Sequence, residues 1–171
     1  GIRLHEMGQR NVVARYPLHM HLMFEGGGQR SAFIGNAVTN SLFRGYTIHI
    51  TNASLLRWNV AFNTTGHTFY FEDGVEMKHR IEFNLAARVH TIGSPAAGIF
   101  QRGETFIRTD DVLVPADHTA SGFYLPNPAN YFVGNAASGG WAGISIPVFE
   151  TGPMGVATNM TQFAGIKPFH S

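Results

Sequence analysis

Four of the nine His in this 171-residue chain lie in or beside short segments that alternate apolar and polar residues. His19 and His21 stand two apart in Leu18-His19-Met20-His21-Leu22, and His49 lies in Ile48-His49-Ile50. His67 precedes Phe69-Tyr70-Phe71, which runs into Glu72-Asp73. A carboxylate flanked by imidazoles and a phenol can act as general acid or base in glycosidic cleavage, with His holding or transferring the proton. Glu72, His49 and His67 are therefore candidate catalytic residues, and Tyr70 and Tyr46 offer rings on which sugar faces could stack. Adjacent strand residues point to opposite faces, so only one of Glu72 and Asp73 is expected on that surface. Glu72 is chosen, because Asp73-Gly74 reads as the turn that closes the strand. His19 and His21 share a parity and, with His49, could grip one divalent metal. Three neutral imidazoles suit zinc or another transition metal better than calcium. No other cofactor is indicated: Gly26-Gly27-Gly28 lacks the Lys and the helix of a phosphate loop and reads as a flexible loop. Arg15, before Tyr16-Pro17, is a candidate ligand for an acidic sugar.

The elements that must position these residues emerge from an internal repeat. Asn followed by small apolar residues recurs at Asn11, Asn36, Asn59, Asn84 and Asn135, at intervals of 25, 23, 25 and 51 residues. The last interval is about two periods, leaving room for one coil with an irregular excursion through 101–117. Each Asn segment is followed by a short alternating strand, as at Ile48, Phe69, Phe123 and Ile144, which means one side in and one side out. Ile48 to Phe69 is 21 residues, and this spacing sets His49 beside Tyr70, Tyr46 beside His67 and Thr51 beside Glu72. A period in the low twenties is the length of one β-helix coil. Stacking coils at about 4.8 Å builds an apolar column that no coil could bury alone, and recurrent Asn can bond its counterpart in the next coil. The fold expected is an all-β, right-handed parallel β-helix of about six to seven coils. An antiparallel sandwich would not explain the Asn, and helix is confined to a short turn within 76–85.

Composition agrees with a single domain over 1–171, excerpted from a larger extracellular protein. Twenty Gly and fourteen Phe with 13% charged residues describe a β-rich body with many turns. A net charge of +1, with no Lys/Arg block, argues against a nucleic-acid partner. No apolar run reaches the roughly 20 residues of a membrane span, so this segment is not expected to insert in a membrane. The sequons at Asn52, Asn63 and Asn159 are candidate glycosylation sites on a secreted or cell-surface protein. The expected partners are an extracellular polysaccharide or copies of the chain itself in a fibre, coat or appendage.

The segments Arg15 to Leu22, Thr47-Ile48-His49 and Gly66 to Gly74, with Asn127-Pro128-Ala129-Asn130, Asn135-Ala136-Ala137 and Thr151-Gly152-Pro153, form a set in a fixed order. That set resembles the β-helix region of the family containing the cell migration-inducing hyaluronan-binding protein, the transmembrane cell-surface hyaluronidase and fibrocystin-L. The resemblance implies a large secreted or surface-anchored protein, and hyaluronan binding or depolymerisation in two of those relatives. It carries across His19, His21, His49, His67, Glu72 and Asp73 as candidate site residues. The chain departs from the family at Thr68 and at Gly45-Tyr46, where Cys is common.

Overall fold

The computed structural model describes residues 1–10, 12, 14–91 and 120–146. Fourteen short strands in the described residues wind through three parallel sheets in strict rotation. One sheet is made by β1 (Arg3–His5), β4 (Ala37–Ser41), β7 (Val60–Thr65), β10 (Leu85–His90) and β13 (Ala136–Gly139), paired in that order. A second contains β2 (Leu18–Met23), β5 (Tyr46–Thr51), β8 (Phe69–Phe71), β11 (Ser121–Tyr124) and β14 (Ala142–Ser145). The third has β3 (Ala32–Ile34), β6 (Leu55–Arg57), β9 (Arg80–Glu82) and β12 (Tyr131–Val133). This is the expected parallel β-helix: each strand is bonded to its counterpart one coil away, never to its chain neighbour.

Every sheet contributes apolar residues to the interior, small or branched ones from the first and mainly aromatic ones from the second. Val38, Ala61 and Ala86 come from the first sheet, Leu56, Ile81 and Phe132 from the third, and Ile48, Phe69, Phe71 and Phe123 from the second. Tyr46, Phe69 and Phe123 lie one above the other with centroids 4.6 Å apart and planes within 8° of parallel, which is the rung spacing expressed as an aromatic stack.

The recurrent Asn form a continuous ladder. Asn59 Oδ1 accepts from the backbone and side-chain N–H of Asn36, Asn84 Oδ1 does the same for Asn59, and Asn135 Oδ1 for Asn84, all at 2.9–3.0 Å. The ladder lines the turn from the third sheet into the first. It is the residue before each Asn, not the Asn itself, that is left-handed: Gly35, Trp58, Phe83 and Gly134 have φ of 65°, 56°, 54° and 63°. Trp58 and Phe83 hold a conformation costing roughly 1–2 kcal/mol for an L-residue, offset by the bonds of the Asn that follows.

Three expectations are corrected. Asn84 bonds Asn135 directly and β10 pairs with β13, so the 51-residue interval is one coil carrying a long insertion, with no coil between. The excursion itself lies outside the described residues. Gly26-Gly27-Gly28 closes a helical turn, α1 (Phe24–Gly28), and a Cβ on Gly28 would lie 1.8 Å from Asn52 O, so absence of a side chain is what lets it pack there. Residues 76–85 hold β9 and no helix.

Candidate functional site

The outer face of the second sheet gathers the polar residues. Pairing of β2 with β5 sets His19 opposite Thr47 and His21 opposite His49, and pairing of β5 with β8 sets Thr47 opposite Tyr70 and Ile48 opposite Phe71. The next residue, Glu72, is level with His49, its N–H donating to Ile48 O at 3.0 Å. The expected register, Ile48 over Phe69, is two residues out: Tyr46 is the residue opposite Phe69. A slip of two keeps every side chain on its own face, so alternation alone could not detect it. His49 is thereby beside Glu72 and not Tyr70, Tyr46 is not beside His67, and Thr51 is not beside Glu72.

His49 is the hinge of the site. Its Nδ1 lies 2.8 Å from His21 Nδ1 on the solvent side, and its Nε2 lies 3.0 Å from Asp73 Oδ2 on the buried side. His19, His21 and His49 each present a ligand atom within 4.8 Å of the others, the composition of a transition-metal site. Glu72 and Asp73 both reach this region, contrary to the expectation that only one could. The strand ends at Phe71, and past it the chain no longer alternates. Glu72 Oε1 accepts from the Tyr16 hydroxyl at 3.2 Å, and that hydroxyl accepts from Arg44 Nη1 at 3.2 Å. Arg44 is fully buried, its guanidinium 3.5 Å from the centre of the Tyr70 ring and 3.8 Å from Glu72 Oε1. Beneath them Glu76, also buried, accepts from Ile50 N–H at 3.0 Å and Asp73 N–H at 3.1 Å.

Burial dominates the proton affinities. It drives His19 down to about 4, helped by the charges of His21, His49 and Arg44, so this ring is neutral at physiological pH. Burial also opposes the imidazolium of His49, but the Asp73 hydrogen bond and the charges of Asp73, Glu72 and Glu76 outweigh it, and His49 is raised above its ordinary value. Glu72 is raised because desolvation exceeds the pull of Arg44, and Glu76 is pushed up to about 8 by burial and by Asp73. Burial thus favours the neutral form of Glu72, while the carboxylates around His49 favour its imidazolium, shifts that bring the two groups toward the range in which acid–base chemistry works.

Several predicted residues are elsewhere. Tyr46 is in the apolar core, its hydroxyl within 2.9 Å of Asn36 O and 3.0 Å of Val60 O, and exposes nothing to a sugar. Tyr70 is buried under Arg44, and His67 is buried with Nδ1 accepting from Ser121 N–H at 2.9 Å, stacked between Tyr70 and Tyr124. These three residues are therefore support for the site and not its surface. Arg15 is exposed, next to the buried Tyr16 that does enter the site. Asn52 Oδ1 accepts from Met77 N–H, and Ser54 of the same sequon is buried against His79 Nδ1. Asn63 is half-buried and donates to Asn40 Oδ1, while Asn159 lies outside the described residues. Sequence reasoning missed Tyr16, Arg44 and Glu76. All three sit in turns between strands, where no period marks them, and only the nearness of Tyr16 to Arg15 and of Glu76 to Asp73 could have raised them. No helix among the described residues is long and apolar enough to cross a membrane.

The chain is 56% identical over 148 residues to Communication mutant protein F of Dictyostelium discoideum, covering 86% of this chain and 13% of that protein. It is 52% identical to protein rliB of the same organism, covering 94% of this chain and 14% of the relative. It is 29% identical to the human cell surface hyaluronidase CEMIP2 over 81% of this chain and 11% of that protein. The chain thus spans about a seventh or less of each relative's length. Residues 1–169, nearly the whole length, match the CEMIP beta-helix, and the chain belongs to that family.

Proposed function

We propose that the protein is an extracellular β-helix that engages an acidic polysaccharide of the hyaluronan class at the His19–His21–His49 rim, with Glu72 as the proton donor for glycosidic cleavage. One observation carries this reading: His49 joins the exposed imidazole of His21, at 2.8 Å, to the buried carboxyl of Asp73, at 3.0 Å, with the buried Glu72 level with it in register. The rim meets an anionic chain with imidazole donors. Glu72, its proton affinity raised by burial and its carboxyl oriented by Tyr16, gives its proton to the glycosidic oxygen as the C–O bond breaks. The rim, with Asp73 behind it, binds the water that adds to the anomeric carbon and takes that water's proton. The hyaluronidase named among the relatives supports the substrate class. The test is the size distribution of hyaluronan after incubation with the protein and with Glu72→Gln. Shortening by the wild type alone is expected, and hyaluronan left at full length by both while still bound would reduce the function to recognition.

A scaffold reading is favoured by a separate observation. Ile34, Trp58, Val60, Phe62, Phe83 and Leu85 are all exposed, at the ends of the third sheet's strands and on the first sheet. An apolar surface of this kind suits packing against protein. It predicts ordered self-association that His49→Ala leaves intact, whereas the recognition reading predicts that this variant loses polysaccharide binding.

A further inference from the structure

Ordinary hydrogen bonding accounts for two of the three rim imidazoles. With Nε2–H of His49 directed at Asp73, the Nδ1 of His49 carries a lone pair that can accept Nδ1–H of His21 across 2.8 Å. His19 is left without an explanation. Its Nε2 is buried with no hydrogen-bond partner, although its ring centre is 4.9 Å from that of His21 and 6.1 Å from that of His49. An orphaned buried nitrogen beside two other imidazoles is a costly feature for a protein to keep unless a ligand satisfies it.

We infer that His19, His21 and His49 bind one divalent transition metal of the zinc class, His19 through Nε2 and the other two through Nδ1, with Asp73 orienting His49. Three neutral nitrogens without a ligating carboxylate select zinc-like ions over calcium or magnesium, which take oxygen. Asp73 faces the nitrogen of His49 that the metal would not use, the carboxylate–histidine arrangement that fixes tautomer and ring orientation in metal sites. The ligand atoms lie within 4.8 Å of one another, so side-chain rotation must close the wider separation to His19 by up to about 1.4 Å. Tetrahedral zinc with bonds of about 2.0–2.1 Å sets its nitrogens roughly 3.3–3.4 Å apart, so the His21–His49 pair must open by about half an ångström. His21 is exposed, so its ring can turn that far, and the solvent side is left for a water as fourth ligand. Metal binding stands on this ligand geometry and does not depend on polysaccharide being the substrate.

The test is metal binding itself. Chelator-treated protein is titrated with Zn2+ against a chromogenic competitor and with Co2+ by visible absorption, with Ca2+ and Mg2+ as challengers. One equivalent of Zn2+ and cobalt bands of tetrahedral intensity are expected. Both are lost in His21→Ala and His49→Ala, weakened about 10–100-fold in Asp73→Asn, and unchanged in His5→Ala, whose residue lies on a different sheet. Because His21 is exposed, its variant keeps the fold, which circular dichroism checks. Absence of stoichiometric Zn2+ or Co2+ binding, full binding retained by His21→Ala, or displacement of cobalt by equimolar Ca2+ would overturn the assignment.

Discussion

Removing one rung of the Asn ladder tests whether these residues hold the coils together. The Asn84 side chain makes four hydrogen bonds: Oδ1 accepts from Asn59 N–H and Asn59 Nδ2, and Nδ2 donates to Leu56 O and Asn135 Oδ1. Asn36 makes two, Oδ1 accepting from Ile2 N–H and Nδ2 donating to Asn59 Oδ1. Its own backbone N–H also reaches Asn59 Oδ1, but that bond survives truncation of the side chain. At about 1 kcal/mol net per bond, Asn84→Ala should cost about 4 kcal/mol, rising to about 6 where stranded buried donors find no water. Asn36→Ala should cost about 2 kcal/mol. Asn84→Asp keeps the acceptor but points carboxylate oxygen at two other oxygens, so it should be worse than Ala at neutral pH and recover in acid. Equilibrium urea unfolding followed by circular dichroism reads these differences as shifts of midpoint at constant slope. If Asn36→Ala costs as much as Asn84→Ala, or Asn84→Ala costs under about 1 kcal/mol, counting bonds along the ladder is the wrong account of its stability.

Two further outcomes follow from the buried charges. Arg44→Met strands Glu72 without its cation and should cost about 3–5 kcal/mol at pH 8 and less at pH 5, because burial raises the proton affinity of Glu72 and acid neutralises it, as read by thermal unfolding at both pH values; an equal loss at the two pH values would show that the guanidinium acts by packing alone. Glu76 is pushed up to about 8 in the folded protein, so its contribution to stability is complete below the ordinary carboxyl value of 4.5 and is lost as pH rises through 8. Glu76→Gln, which keeps an acceptor for Ile50 N–H, should flatten the fall in unfolding free energy between pH 5 and 8, and an unchanged slope would assign that fall to Glu72 or His49 instead.

The fold was legible because its signal is translational. A residue that must satisfy its neighbour one coil away recurs once per coil, and four of the five Asn read from the sequence stand in one hydrogen-bonded column. The fifth, Asn11, lies outside the described residues. The same logic failed where the chain adds residues between rungs. The 51-residue interval looked like two periods, because length alone cannot distinguish a coil from an insertion, whereas the Asn84–Asn135 bond does.

The site was less legible, and for a different reason. Strand parity correctly sorts His19, His21 and His49 onto the outer face, but outward is not the same as exposed. Thr47, Tyr70 and Tyr124 share that face and are buried, because Tyr16, Phe43, Arg44 and His67 form a second layer over it. Those covering residues come from turns, which carry no period from which their position could be read. Two consequences follow for the chemistry. Of the two aromatic rings expected to stack on sugar, Tyr46 is in the apolar core and Tyr70 holds a buried Arg, which lies 3.8 Å from the Glu72 carboxyl. The candidate site residues of this β-helix are thus set at the boundary where the second layer stops, with His21 in solvent, His49 half-buried and Asp73 beneath it, so a single imidazole connects water to a buried carboxyl group.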